Sequence, residues 1–141
     1  SQLGNIYMSA VSADKSSEVG GLQGTFQNLG SSFGTAFVGS ILVVSLTSGF
    51  VSNINNSSLP SDVKTYITQH SKSGVQIVPS SEVEQYVISK GGSQSAAQEI
   101  SSEYTDAQLS GLKSAITALG FVVVLSLLLS RNIPSEKLKT T

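Results

Sequence analysis

The chain has 141 residues and a formal net charge of −1, and only 12% of it is charged, about half the roughly 25% usual in a soluble domain. That balance gives no electrostatic reason to expect a nucleic-acid partner, and the absence of cysteine excludes a disulfide framework and thiolate metal sites. A mean hydropathy of only +0.14 averages long charge-free apolar stretches with a Ser-rich segment that carries most of the charges.

Residues 1–18 read as a cytoplasmic loop and the end of a preceding helix. The start, Ser1-Gln2-Leu3-Gly4-Asn5, has neither the basic nor the apolar region of a secretory signal and is expected to be interior to a longer protein. The apolar stub Ile6-Tyr7-Met8-Ser9-Ala10-Val11 is too short to cross a bilayer.

No charge occurs between Glu18 and Asp62, and residues 19–51 are expected to form a transmembrane helix, which needs about 20 apolar residues. Its first half is small and polar, with Gly20, Gly24, Gln23, Gln27, Asn28, Gly30 and Gly34; its second half is apolar, from Ala36 through Val44. A soluble helix loses roughly 1 kcal/mol for each interior Gly relative to Ala. Transmembrane helices use such residues where backbones approach closely. Gly20 to Gly24 and Gly30 to Gly34 repeat a GxxxG spacing, and Thr35 and Gly39 extend a second small ridge with Ser31. These positions predict a helix-packing face.

Residues 52–104 are expected to form an extracytoplasmic loop with short helices. Asn53, Asn55, Asn56 and Pro60 mark a turn-rich exit from the first helix. Pro60 should open a short helix ending near His70. The capping-box spacing of Ser81 and Glu84 predicts a second, closed by Gly91-Gly92, and a third is expected from about Ser93 to Tyr104.

The capping-box spacing of Thr105 and Gln108 then places the start of the last helix, 105–132, spanning the membrane from about residue 110. Its uncharged run from Ser114 to Ser130 covers about 26 Å, close to a hydrocarbon core of about 30 Å. Lys113 and Arg131 flank it and can reach opposite interfaces. Asn132 and Pro134 should stop the helix, leaving 133–141 as a cytoplasmic tail. The fold class expected is therefore an all-α membrane-protein fragment, two transmembrane helices joined by a long extracytoplasmic loop. Lys15, Arg131, Lys137 and Lys139 lie outside the spans, against Lys64 and Lys113 near the loop ends. That bias places both termini in the cytoplasm, at the plasma or cytoplasmic membrane.

The stretch Ser17-Glu18-Val19-Gly20-Gly21-Leu22-Gln23-Gly24-Thr25-Phe26-Gln27-Asn28-Leu29-Gly30-Ser31-Ser32-Phe33-Gly34-Thr35-Ala36 resembles the penultimate helix of fourteen-helix drug:proton antiporters of the major facilitator superfamily. The layout that follows, with an extended outer loop, an apolar last helix and the exit Arg131-Asn132-Ile133-Pro134, is similar too. One departure is Gln27, near which members often carry Arg. The resemblance implies proton-coupled export of drugs or other amphipathic small molecules by alternating access. Its implied partners are the lipid bilayer, the remaining helices of the parent transporter, the small-molecule substrate and protons. It also implies a packing role for the first helix and a peripheral one for the last.

Neither span contains an ionisable residue, so the coupling carboxylate such an antiporter needs is expected elsewhere in the parent. Gln23, Gln27 and Asn28 are the candidate substrate contacts, weighed against the commoner role of amides as interhelical hydrogen-bond partners. His70, the sole histidine, lacks the partners a metal site needs. Glu82, Glu84, Glu99, Glu103 and Asp106 read as a solvated acidic face. No catalytic residue, cofactor, metal site or nucleic-acid partner is expected. The competing reading is a self-contained two-span membrane protein whose outer loop senses a signal or binds a partner. Helices buried in a soluble core fit poorly, because so short a chain has too little else to bury two of them.

Overall fold

The computed structural model describes residues 15–131; the stub at 6–11, the stop at Asn132 and Pro134, and the tail 133–141 lie outside them. Among the described residues the fold is all-helical. It consists of α1 (Ser16–Asn56), α2 (Ser61–His70), a 3-10 turn (Ser71–Ser73), α3 (Ser80–Ser89) and α4 (Gln94–Ser130). At 41 and 37 residues, α1 and α4 each exceed the roughly 20 that a bilayer crossing requires. Both are apolar enough for one, with mean hydropathy of 1.7 and 2.2 over their most apolar windows.

The chain divides into two compact units. One consists, among the described residues, of 15–37 and 124–131, helical from 16 to 37 and from 124 to 130. Here large apolar side chains are open: Phe26 is 66% exposed, Phe33 74% and Leu127 65%.

The other unit, 38–123, has a core. Leu46, Phe50 and Ile54 of α1 recur every four residues, so they line one face of that helix. On α4 the buried positions are Ala97, Ile100, Tyr104, Ala107, Gly111 and Ala115, spaced by three or four residues so that they make a narrow seam. Leu59 joins them from the loop, and Val63, Ile67, Val75, Val78, Val83 and Val87 pack around the rim. The short helices and the segment between them thus form a cap over one end of the α1–α4 pair.

Several boundaries differ from the sequence expectation, and α1 already begins at Ser16, ahead of residue 19. Helix α1 continues past Val51 to Asn56, because Ile54 is drawn into the core and the Lys64 ammonium donates to the carbonyls of Asn55 (3.1 Å) and Ser57 (2.6 Å). A cation there also offsets the negative end of the helix dipole. Helix α4 begins at Gln94 and runs without interruption through Thr105, so the expected third loop helix and the last helix are one element. The Thr105 hydroxyl donates to the Ser101 carbonyl at 2.9 Å, the back-bond of a helix interior and not a cap. The capping-box reading also fails at Ser81. Helix α3 follows Pro79 with no side-chain cap, and the Glu84 carboxylate instead accepts from the Gln94 amide at 2.7 Å.

The expected ends of α2 and α3 match the structure. The α3 terminus is a Schellman closure. The Gly91 N–H donates to the Ile88 carbonyl (2.9 Å) and the Gly92 N–H to that of Val87 (3.0 Å), with Gly91 at φ +85°. Gly92 is equally constrained, since a Cβ there would stand 2.9 Å from the Val87 carbonyl oxygen.

Candidate functional site

Among the described residues, the buried core and the hydrogen bonds that cross between elements gather where α1 and α4 meet beneath the cap. A Cβ built on Gly49 stands 3.5 Å from the Cβ of Ala107. One built on Gly111 stands 3.2 Å from the Leu46 amide nitrogen and 3.3 Å from the Leu42 carbonyl oxygen. The two backbones therefore approach closely, with only the Ala107 Cβ and the tip of the Leu42 side chain beside the contacts, the arrangement that small residues permit.

Polar groups lace the same region. The Asn53 side-chain amide donates to the Glu103 carbonyl at 3.1 Å, joining α1 to α4. Just beyond α1, the Ser58 N–H and hydroxyl donate to the Glu99 carboxylate at 2.7 and 2.8 Å. The segment 74–79, which has no regular secondary structure, is fastened at both helices. Its Val75 N–H donates to the Thr47 hydroxyl of α1 at 3.0 Å. Its Val78 N–H donates to the Tyr104 hydroxyl of α4 at 2.9 Å, and that hydroxyl in turn donates to the Gln76 carbonyl at 2.9 Å. Tyr104 is 1% exposed, and its ring meets Phe50 edge-on with centroids 5.7 Å apart. One side chain thus fills the core and satisfies a strap that lacks ladder partners of its own.

Beside this junction is an open apolar groove of about 410 Å³ lined by Leu42, Leu46, Ile77, Leu109 and Leu112, with Thr105 and Gln108 as its polar members. Among the described residues no group of three or more His, Asp or Glu is placed to hold a metal ion.

The residues singled out in the sequence lie elsewhere. Gln27 and Asn28 are exposed on α1 and Gln23 is half-buried. Among the described residues nothing approaches within 4 Å of a Cβ built on Gly24, Gly30, Gly34 or Gly39, so none of them packs on that stripe at those positions. The Thr35 hydroxyl donates to the Ser31 carbonyl at 2.9 Å, which satisfies it within its own helix. His70 is exposed, with its Nδ1 2.8 Å from the Tyr66 carbonyl and its ring stacked on Tyr66 at 4.0 Å. The junction residues Gly49, Tyr104, Ala107 and Gly111 were not singled out. The signal for the last three was the 97–100–104–107–111 spacing, hidden by dividing α4 at Thr105.

Compared with family models, curated proteins and solved structures, the chain matches none.

Proposed function

We propose that this chain is a two-span segment of a major facilitator superfamily transporter of the drug:proton antiporter type, with the cap outside the membrane and both termini in the cytoplasm. The observation that carries the membrane part is the exposure of the two apolar helices. Only 11% of the most apolar window of α1 and 6% of that of α4 are buried. In water so much contiguous apolar surface would drive association; in a bilayer it is the solvated surface. Core helices of a soluble protein would be largely covered.

The transporter part rests on the 17–36 stretch and its resemblance to the penultimate helix of those antiporters. That stretch carries Gly, Ser, Thr and amides on a helix with no ionisable residue inside its span, a surface suited to neighbouring helices. In this reading the remaining helices of the parent supply the partner for the stripe and the proton-coupling carboxylate. Gln23, Gln27 and Asn28 face those helices or the exported amphipathic compound.

The test is the complete reading frame expressed in a drug-sensitive host. It should encode twelve further apolar segments and confer resistance that collapses when the proton gradient is dissipated. A frame that opens just before Ser1, or resistance indifferent to the gradient, overturns the reading. The packed cap, with its own core of Phe50, Ile54, Leu59, Ile100 and Tyr104, favours a second reading if the frame is short: a self-contained two-span protein whose folded outer domain binds a partner.

A further inference from the structure

We propose that the cap is a clamp that locks α1 and α4 into one rigid body at this end, so that the two helices move as a pair and neither part nor slide. The inference does not rest on the transporter reading. Three features of the unit 38–123 carry it. The helix backbones approach closely at Gly49–Ala107 and at Gly111 against Leu42 and Leu46, where the nearest atoms to a Cβ on Gly111 are the Leu46 nitrogen and the Leu42 carbonyl oxygen, backbone groups that cannot swing aside. The strap 74–79 is fastened to α1 through Thr47 and to α4 through Tyr104, so separation of the helices must break the hydrogen bonds of at least one anchor. The register is also unique. Sliding α4 by one turn, about 5.4 Å, would bring Ala107 or Ala115 to the place of Gly111. A Cβ would then press on the Leu42 and Leu46 backbone where it meets atoms at 3.2–3.3 Å.

The cysteine-free chain makes the test clean. In the double variant Gly49→Cys/Ala107→Cys, the 3.5 Å between the two Cβ positions lies within the roughly 3.5–4.5 Å range of a disulfide. The full chain in lipid nanodiscs is oxidised mildly, and hydrogen exchange at the Val75 and Val78 amides is compared in the oxidised and reduced forms. A clamp closes completely, and its exchange rates agree within about twofold, because the cross-link removes no motion. Rates slowed by more than about tenfold on oxidation would mean that the helices part when free, and would overturn the proposal. The control pair Gly39→Cys/Ala107→Cys is displaced by about 15 Å along α1 and must stay open; closure there would reveal sliding. If the double variant does not fold, Tyr104→Phe decides. Losing the hydroxyl should speed exchange roughly tenfold at Val75, which it does not touch, as well as at Val78. Faster exchange at Val78 alone would overturn a cooperative clamp.

Discussion

Gly111 and Gly34 are both glycines within long apolar helices, yet an added side chain meets opposite surroundings at the two positions. At Gly111 it runs into the backbone of Leu42 and Leu46; at Gly34 it meets nothing within 4 Å. Gly111→Leu should therefore destabilise the cap by about 1–3 kcal/mol, the usual range for overpacking against atoms that cannot yield. Gly34→Leu should leave the isolated chain unchanged or raise its stability by up to about 1 kcal/mol through helix propensity. Thermal unfolding in detergent compares them directly. In the proposed parent transporter the order would change, since Gly34→Leu should then block helix approach and lower assembled protein in the membrane. Unaltered assembly would show that the stripe faces lipid. Glu99 offers a milder case: Glu99→Ala removes the acceptor of the Ser58 N–H and hydroxyl and should cost about 1 kcal/mol in the same assay, modest because the bonds are partly solvated. The sequence showed that glycines were abundant, and the 97–100–104–107–111 spacing marks Gly111 once α4 is taken as one helix. Whether Gly34 or Gly49 meets a helix depends on the facing surface, which no local spacing encodes.

At the scale of elements, local chemistry made some ends legible and tertiary packing decided the others. The Pro60 start of α2 and the Gly91-Gly92 end of α3 are written in residues whose backbone preferences act alone. The start of α4 is not. Thr105 and Gln108 have capping-box spacing, but Ile100 and Tyr104 are buried on the same helical face as Ala107 and Gly111, and burying that face favours helix straight through. Asp106→Pro separates the two descriptions. Were Thr105 a cap, proline at 106 would occupy the first helical position, where it is well tolerated. In a continuous α4 it breaks the ladder and should cost about 3 kcal/mol or more, seen as lost helicity and a lowered unfolding temperature. Asp106 is exposed, so loss of its side chain adds little. Likewise, the extension of α1 to Asn56 depends on Lys64 reaching back to its carbonyls, a contact across the turn that the Asn-rich exit does not announce.

For the whole molecule, the all-helical class and the two long apolar helices were readable from charge-free length alone. The cap was not readable as a packed unit, because its core is assembled from single apolar residues scattered over α1, the loop and α4. The family resemblance implies a peripheral place for the last helix among the parent's helices; within this chain α4 supplies Ile100, Tyr104, Ala107 and Gly111 to the packed unit beneath the cap. The central claim remains that α1 and α4 cross a bilayer with the cap outside it, and the reactivity of single cysteines tests that most directly. Leu127 and Tyr86 are 65% and 58% exposed, so in a water-soluble protein cysteines at both positions react readily with a membrane-impermeant maleimide. Membrane insertion predicts rapid labelling of Tyr86→Cys on intact cells and none of Leu127→Cys until detergent is added. Equal labelling of the two, or labelling of neither before the cells are opened, would contradict it.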